Sequence, residues 1–513
     1  MDFGEIKMKI DFWDKKKFIC FYLVFFVILI IGLIIGGLGP DHYKQQEVEY
    51  ELHSNSTVFV VEVLDLNRLN QFLFVDTHFS NGNSLDFTQD VKFKVWLWGT
   101  NDFNSAISVP NFDEDSTIGL SSQNGDDDDD DKTDGWDLLE YSTHNREVEC
   151  EASKNCTKHT MLYVPYIHHK NYALGVEFNN TLENTYEKIF IDVYFVNKSM
   201  TLFELFFRYF FVMSSIGWIC FITHKTREIS FRKYSLEQRW SYNLLYFLLF
   251  FNNPLWPTIL ISDHSIVQVL DGIFTVTFVI VLCGFWISII DGLRFERSER
   301  KFRNFYLPKF IPLTGIWITF YVIYIISRRH EYDDPQFETI NDITGFLVAQ
   351  IFLWIFIAFY ILHLFYSIFR AFIEIKQKPE NKKRFYFFFS LFLISFIMIF
   401  VALVGNFISS LRNTSIEFLA YYTIFNIYLI LLSYAYLPSS KTLDELQTSS
   451  HMKFEDEDDV ETSTQESGLE LKEKSFSNSE NSQSQSQSQS QSQSQSQSQS
   501  QSQSKSKSSS KSD

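Results

Sequence analysis

The sequence carries none of the short motifs that mark the commoner enzymes. It has no G-x-S-x-G, no G-x-x-x-x-G-K-[ST], no H-E-x-x-H and no C-x-x-C, so a serine elbow, a phosphate loop and the usual zinc sites are missing. An intramembrane protease needs placed acids or a Ser/His pair, and none stands out. The chain reads as non-enzymatic and calls for no cofactor and no metal. Five cysteines in 513 residues exclude a small disulfide scaffold. Base is scarce: 44 Lys and Arg stand against 62 Asp and Glu, a net charge of −18 at pH 7, which excludes a nucleic-acid binder. Aromatic residues are the abundant class, 18% of the chain with 55 Phe. A soluble globule has no use for so many rings, but lipid-facing helices do. The mean hydropathy of −0.06 looks soluble only because apolar blocks average with very polar ones.

A membrane span needs about 20 apolar residues. Eight segments qualify: Phe18–Leu38, Leu202–Thr223, Tyr242–Ile261, Val267–Ile290, Phe310–Ile326, Gly345–Phe369, Phe385–Ile408 and Ile416–Leu437. They are arranged as one plus seven. The short loops 224–240, 291–309 and 370–384 are rich in Lys and Arg, as is the stretch before the first span, whereas the loops between them are poor. By the positive-inside rule, residues 1–17 and the tail 438–513 are cytosolic and residues 41–201 are lumenal or extracellular. The first helix, 18–38, is a signal anchor or a cleaved signal peptide. Its long apolar core favours the anchor.

Residues 41–201 hold 29 acids and 11 bases, so this segment alone accounts for the charge of the whole chain. Sequons stand at Asn55, Asn155, Asn179 and Asn197, as expected of an exported glycoprotein. A fifth, at Asn413, lies too close to the bilayer. Cys150 and Cys156 are the exported cysteines, and a disulfide closing a small loop is expected of them, with a metal pair as the weaker alternative. Cys20, Cys220 and Cys283 fall in spans and read as buried hydrophobes. His168 and His169 are adjacent rather than spaced, which does not suit a metal. The runs Thr57–Leu64, Val91–Trp98, Thr160–Val164, Tyr172–Phe178 and Ile189–Val196 are β-branched and aromatic, separated by turn residues, and predict a β-sandwich. Asp126–Asp131 reads as a solvated insertion, with calcium binding the lesser alternative because the EF-hand spacing is absent.

In the third span, Asn252-Asn253-Pro254-Leu255-Trp256-Pro257 predicts a break at mid-membrane. Freed backbone groups in lipid need partners or a wet cavity. Asn252, Asn253, Pro254 and Pro257 therefore either line a ligand or lipid cavity or form a kink that neighbouring helices satisfy. Glu204 and Arg208 stand at i and i+4, the spacing of a structural ion pair. His363 is the more central ionisable residue, a proton or ligand site or else an interhelical hydrogen bond. The tail ends in a strict Ser-Gln repeat over Ser482–Gln503, which cannot bury a core.

Several motifs in order resemble a known family. Ser235-Leu236-Glu237-Gln238-Arg239-Trp240 followed by Asn252-Asn253-Pro254 and Pro257 is similar to a cytosolic loop and third span of the transmembrane protein 181 family. Arg300-Lys301 with Phe305–Phe310 resembles its second cytosolic loop, and Glu417–Tyr422 with Asn426-Ile427-Tyr428 and Tyr436–Ser439 its last helix. The resemblance covers roughly residues 200–440. It implies a lumenal GOLD-type β-sandwich placed before a Wntless-like seven-helix domain over 202–437, and work in the secretory pathway: binding or escorting secreted cargo. It also implies receptor-like behaviour and toxin binding. It assigns no catalytic site. Glu237, Gln238, Arg239 and Trp240 are carried over as a cytosolic loop motif without a stated role.

The leading reading is a multi-pass carrier or sorting receptor of the Golgi or plasma membrane. Its partners are the bilayer, a secreted protein or lipid ligand, and trafficking machinery. The alternative is a receptor coupled to a G protein, against which the last helix lacks N-P-x-x-Y. The second alternative is a channel or transporter, against which the helices are mostly uniformly apolar.

Overall fold

A computed structural model of the chain describes residues 7–51, 58–81, 86–101, 136–151, 155–178, 186–227, 229–230, 233–261, 265–295, 300–333, 343–377, 379–407 and 415–440. The Asp run, the Ser-Gln repeat, Asn55, Asn179 and Asn413 lie outside the described residues.

After helix α1 (Lys15–Gly37) the chain forms eight strands: β1 (Tyr43–Glu51), β2 (Val58–Val63), β3 (Leu73–Ser80), β4 (Phe87–Thr100), β5 (Asp137–Cys150), β6 (His159–Val164), β7 (Asn171–Phe178) and β8 (Lys188–Val196). They pair antiparallel into two four-stranded sheets, β1-β8-β3-β6 and β2-β7-β4-β5. Alternation along each strand turns Val61, Val75, Phe79, Phe93, Leu174, Ile191 and Val193 into one buried core between the sheets, so the segment is a β-sandwich. Three of these strands are absent from the sequence reading. β1 and β5 are edge strands whose outward residues are polar, as edges require. β3 is central, but Asp76 and His78 interrupt its apolar character. A second cluster, Trp96, Trp98, Trp136 and Ala173, lies on the outer face of the β4 sheet. Trp96 and Trp98 alternate there with the inward Val95 and Leu97.

The remaining helices are α2 (Lys198–Thr226), α3 (Leu236–Phe251), α4 (Thr258–Ile261), α5 (Ser265–Gly292), α6 (Leu307–Asp333), α7 (Thr344–Glu374), α8 (Pro379–Phe407) and α9 (Ile416–Ala435). Among the described residues, α1, α2, α5, α6, α7 and α9 are long and apolar enough to cross a membrane. Helix α3 is cut short by the break. Cys20 and Cys220 are exposed on their helices rather than buried, and Cys283 is half-buried. In a bilayer, a small apolar thiol facing lipid loses nothing by it.

The single first helix packs against the bundle along α9. Gly32 and Gly36 bring α1 against α9 so closely that a Cβ at Gly36 would stand 2.8 Å from the Ile416 backbone, and Ser415 Oγ donates to the Gly36 carbonyl at 2.8 Å. This is the small-residue contact that membrane helices use in place of a hydrophobic drive. Ahead of α1, Met8 bridges to Pro438 and is fully buried. Arg384 holds Asp11 through two bonds of 2.7 Å.

The sandwich is seated on the bundle at one end. Val196 leads through Asn197 directly into α2. The β2–β3 loop grips the same place: Asn70 donates to the Val196 carbonyl at 2.8 Å, Thr201 Oγ1 to the Leu69 carbonyl at 2.6 Å, and Arg68 to the Ile261 carbonyl at 2.8 Å. Asp65 and Gln71, which bracket this loop, both have positive φ. Non-glycine residues hold such conformations only where their surroundings over-determine them.

Candidate functional site

Helix α3 begins with a capping box. Ser235 Oγ accepts from the Gln238 N–H at 3.3 Å, and Gln238 Oε1 accepts from the Ser235 N–H at 3.1 Å. This start lies six residues before the expected span. Glu237, Gln238, Arg239 and Trp240 are therefore the first turn of a helix and not a loop, because the box satisfies N–H groups that the end of a helix leaves orphaned. Glu237 and Gln238 are buried, and Gln238 Nε2 donates to the Tyr436 carbonyl at 2.9 Å. The motif thus ties the start of α3 to the exit of α9.

The break follows 16 residues of helix, about 24 Å at 1.5 Å per residue, and Arg68 of the sandwich touches the end of α4. It stands toward the sandwich end of the bundle, after an α3 that starts earlier than the apolar run suggests. Asn252 and Asn253 are buried. Asn252 and Asn426 exchange amide hydrogen bonds of 2.9 Å in both directions, and Asn252 also donates to Ser215 Oγ at 2.9 Å. Asn253 has φ of 47°, and its Oδ1 accepts from the Leu255 N–H at 3.1 Å, an Asx turn. Its Nδ2 donates to Asp271 Oδ1 at 2.7 Å. Of the two arrangements open from sequence, neighbouring helices satisfy the break. The nearby cavity, about 40 Å³ and lined partly by Arg68, Tyr166 and Ile259, lies at the sandwich joint.

Arg208 anchors an ionic plug beside the break. Its Nη2 meets Glu204 Oε1 at 2.9 Å and its Nη1 meets Asp271 Oδ1 at 3.1 Å. The guanidinium also lies 5.1 Å from the Trp256 ring and 5.0 Å from that of Tyr422, within cation–π range. Arg208 is 6% exposed. The i, i+4 spacing found the Glu204 partner. Asp271 on α5 and Asn253 in the break are distant in sequence and leave no local signal, as with the Asn252–Asn426 pair. A second network joins α5 to α7 at the opposite end: Arg294 binds Glu374 at 2.9 Å through Nε and Asp291 at 2.8 Å, and Lys309 binds Asp291 at 3.2 Å.

In the sandwich, Cys150 and Cys156 form a disulfide, and the Cys156 N–H donates to the Phe79 carbonyl at 2.8 Å. The bond fastens edge strand β5 to the β3 sheet. Asn155 is exposed. Asn197 is the N-cap of α2, its Oδ1 accepting from the Ser199 N–H. It stands where the sandwich enters the bundle, so the objection to Asn413 applies to it as well. His168 and His169 sit in the β6–β7 turn, their N–H groups donating to Tyr172 Oη at 2.9 and 3.1 Å.

The outer face of the β1-β8-β3-β6 sheet combines rings and charge. Phe74 stacks on Tyr194 at 4.7 Å, Tyr43 lies 5.8 Å from Phe74, and Phe72 lies 5.8 Å from Tyr163. Beside them Asp76 opposes Asp192 across β3 and β8, and Lys158 binds the fully buried Asp192 at 2.6 Å. Burial holds the Asp76 carboxyl above its usual range and the His78 imidazole below its own.

Residues 197–440 match the Wntless-like transmembrane domain. These residues form a domain of the Wntless-like transmembrane type. Human transmembrane protein 181 is 25% identical to it over 471 residues, covering 88% of this chain and 93% of that protein. The Wntless-like domain starts at the Asn197 cap and ends at Ser440, just past the Pro438 exit, so it comprises the break, the ionic plug and both ends of α3. The chain is an integral multi-pass membrane protein, with a β-sandwich ahead of its Wntless-like helical domain.

Proposed function

We propose that this protein binds or escorts a secreted protein through the sandwich, with residues 41–201 lumenal or extracellular and residues 1–17 and 438–513 cytosolic, in the Golgi or at the plasma membrane. In this reading it is not an enzyme. The bundle acts as a rigid anchor that carries the sandwich. The observation that carries the reading is the ring-and-charge face of the β1-β8-β3-β6 sheet. Rings such as Tyr43, Phe74 and Tyr194 supply contact area at low entropic cost, and Asp76 and the half-exposed Lys158, held from below by the buried Asp192, supply the orientation that apolar contact lacks. The basic loops support the stated topology. The seam between α1 and α9 supports a retained first helix over 18–38.

The test is site-specific photocrosslinking in cells, from Tyr43 and Tyr194 on the sheet face and from Lys225 and Arg303 on the basic side. Secreted polypeptides captured at the sheet face, and lost in a Phe74→Ser variant, are the expected result. Capture of G-protein subunits at Lys225 and Arg303 with nothing at the sheet face would replace the reading with a signalling receptor. Lipid alone at the sheet face would make the ligand a lipid.

A further inference from the structure

A groove at the other end of the bundle, away from the sandwich, has no part in this reading. Its volume is about 270 Å³ and it opens outward. One wall is the first turns of α3, with Arg239, Trp240 and Asn243. The other is the π-helical turn Phe302–Tyr306 that runs into α6, with Phe302, Tyr306 and Phe310. The rings form a staircase. Trp240 stacks on Phe310 with centroids 6.2 Å apart, Tyr306 on Phe310 at 6.3 Å, and Phe302 lies 6.3 Å from Tyr306. Phe302, at the mouth, is 70% exposed.

Both walls belong to the segments richest in base. Some of that charge is turned inward: Lys309 binds Asp291 and Arg300 donates to the Gly292 carbonyl at 2.7 Å. Arg239 lines the groove itself, positioned by its Nε and Nη2 bonds of 3.0 and 2.9 Å to the Tyr234 carbonyl. Lys301 and Arg303, which flank Phe302, are exposed. The groove thus has an apolar, ring-lined depth and a cationic rim at the end of a membrane helix pair. Aromatic residues gather at the headgroup level, and cations there select anionic lipid. A free phosphate would find the rim but not use the rings. A lipid of zero net charge would use the rings but leave the net positive charge of the rim uncompensated.

We propose that this groove binds an anionic glycerophospholipid of the leaflet on the basic side, its net negative headgroup at Arg239, Lys301 and Arg303 and its acyl chains along Trp240, Tyr306 and Phe310. The test uses the full-length protein in phosphatidylcholine bilayers that contain a trace of photoactivatable phosphatidylserine or photoactivatable phosphatidylcholine with the same acyl chains. Phosphatidylserine should label residues 236–243 and 302–310 about tenfold more than phosphatidylcholine, the preference that one or two surface cations confer. Lys301→Gln with Arg303→Gln should remove most of that preference and leave phosphatidylcholine labelling unchanged. Phe302→Ala should lower both. All three side chains are exposed, so unchanged thermal unfolding is expected and serves as the folding control. Equal labelling by the two lipids in the wild-type protein, or labelling confined to other segments, would overturn the assignment. So would displacement of the label by soluble glycerophosphoserine at equal concentration, since that is the behaviour of a free-anion site.

Discussion

Arg208 is the residue whose surroundings are most demanding. It is nearly buried among Glu204, Asp271 and three rings. Removing the cation alone strands two carboxylates in a medium that cannot hydrate them. Arg208→Met should therefore destabilise the protein by about 3–5 kcal/mol, read as a fall in the unfolding temperature of the purified chain. Arg208→Met combined with Glu204→Gln and Asp271→Asn should recover much of that loss, because no unpaired charge remains. A triple variant as unstable as the single one would show that the plug acts through shape and not charge. His78 makes a different demand. Its ring stacks on Phe190 at 4.6 Å. The charged groups around it are Asp76 on its own strand, Asp192 and Lys158 across the sheet, and Glu47 on β1. Burial, then Lys158, holds its pKa below the ordinary value near 6.5, so the fold favours the neutral ring. The unfolded chain takes up the proton first as pH falls through 6.5. Stability present above that pH is therefore lost below it. The unfolding temperature should fall between pH 7 and pH 5.5, and His78→Phe should flatten that slope. An unchanged slope in the variant would assign the titration to other groups.

Elements were legible in the sequence where one period dominated. The long spans follow from apolar length, and β7 and β8 from β-branched runs. β1 and β5 escaped because an edge strand shows polar residues outward. β3 escaped because Asp76 and His78 make its outer face charged. The break was legible through Asn253 and Pro254, but its depth was not, since depth depends on where α3 starts and that is set by the Ser235–Gln238 box. Its partners Asp271 and Asn426 lie on distant helices, and no spacing rule reaches them. The seam between α1 and α9 was likewise silent, although Gly32 and Gly36 mark it in retrospect. This seam yields a matched pair of variants. A methyl at Gly36 would meet the Ile416 backbone at 2.8 Å, whereas at Gly37 the nearest atom is the tip of the Ile416 side chain at 3.8 Å. Gly36→Ala should cost about 1–3 kcal/mol through overpacking, and Gly37→Ala close to nothing. Equal unfolding temperatures for the two would mean that α1 does not pack against α9 in the membrane.

At the scale of the whole molecule, the charge distribution and the architecture point the same way. The acids are densest in residues 41–201 and the bases in the loops at the far end of the bundle, so the sandwich segment and those loops carry opposite signs. The proposed topology puts those bases on the cytosolic side, as the positive-inside rule expects, and the sandwich on the exported side. Glycans report that orientation directly, and the sequons differ in where they stand. Asn155 is exposed, pairing only through an isolated bridge with Ser80, and its backbone belongs to the rim of the sandwich. Asn197 caps α2 at the membrane junction and is half-buried, its N–H donating to the His42 carbonyl at 2.9 Å. On export, Asn155→Gln should therefore remove one glycosidase-sensitive step in electrophoretic mobility, and Asn197→Gln should remove none. The connections 227–235 and 375–378 should become accessible to an added protease only after the plasma membrane is permeabilised. Cleavage of those loops in intact cells, with residues 41–201 protected, would invert the topology. It would also move the ring-and-charge face away from any secreted partner, leaving the sandwich to act on cytosolic ones.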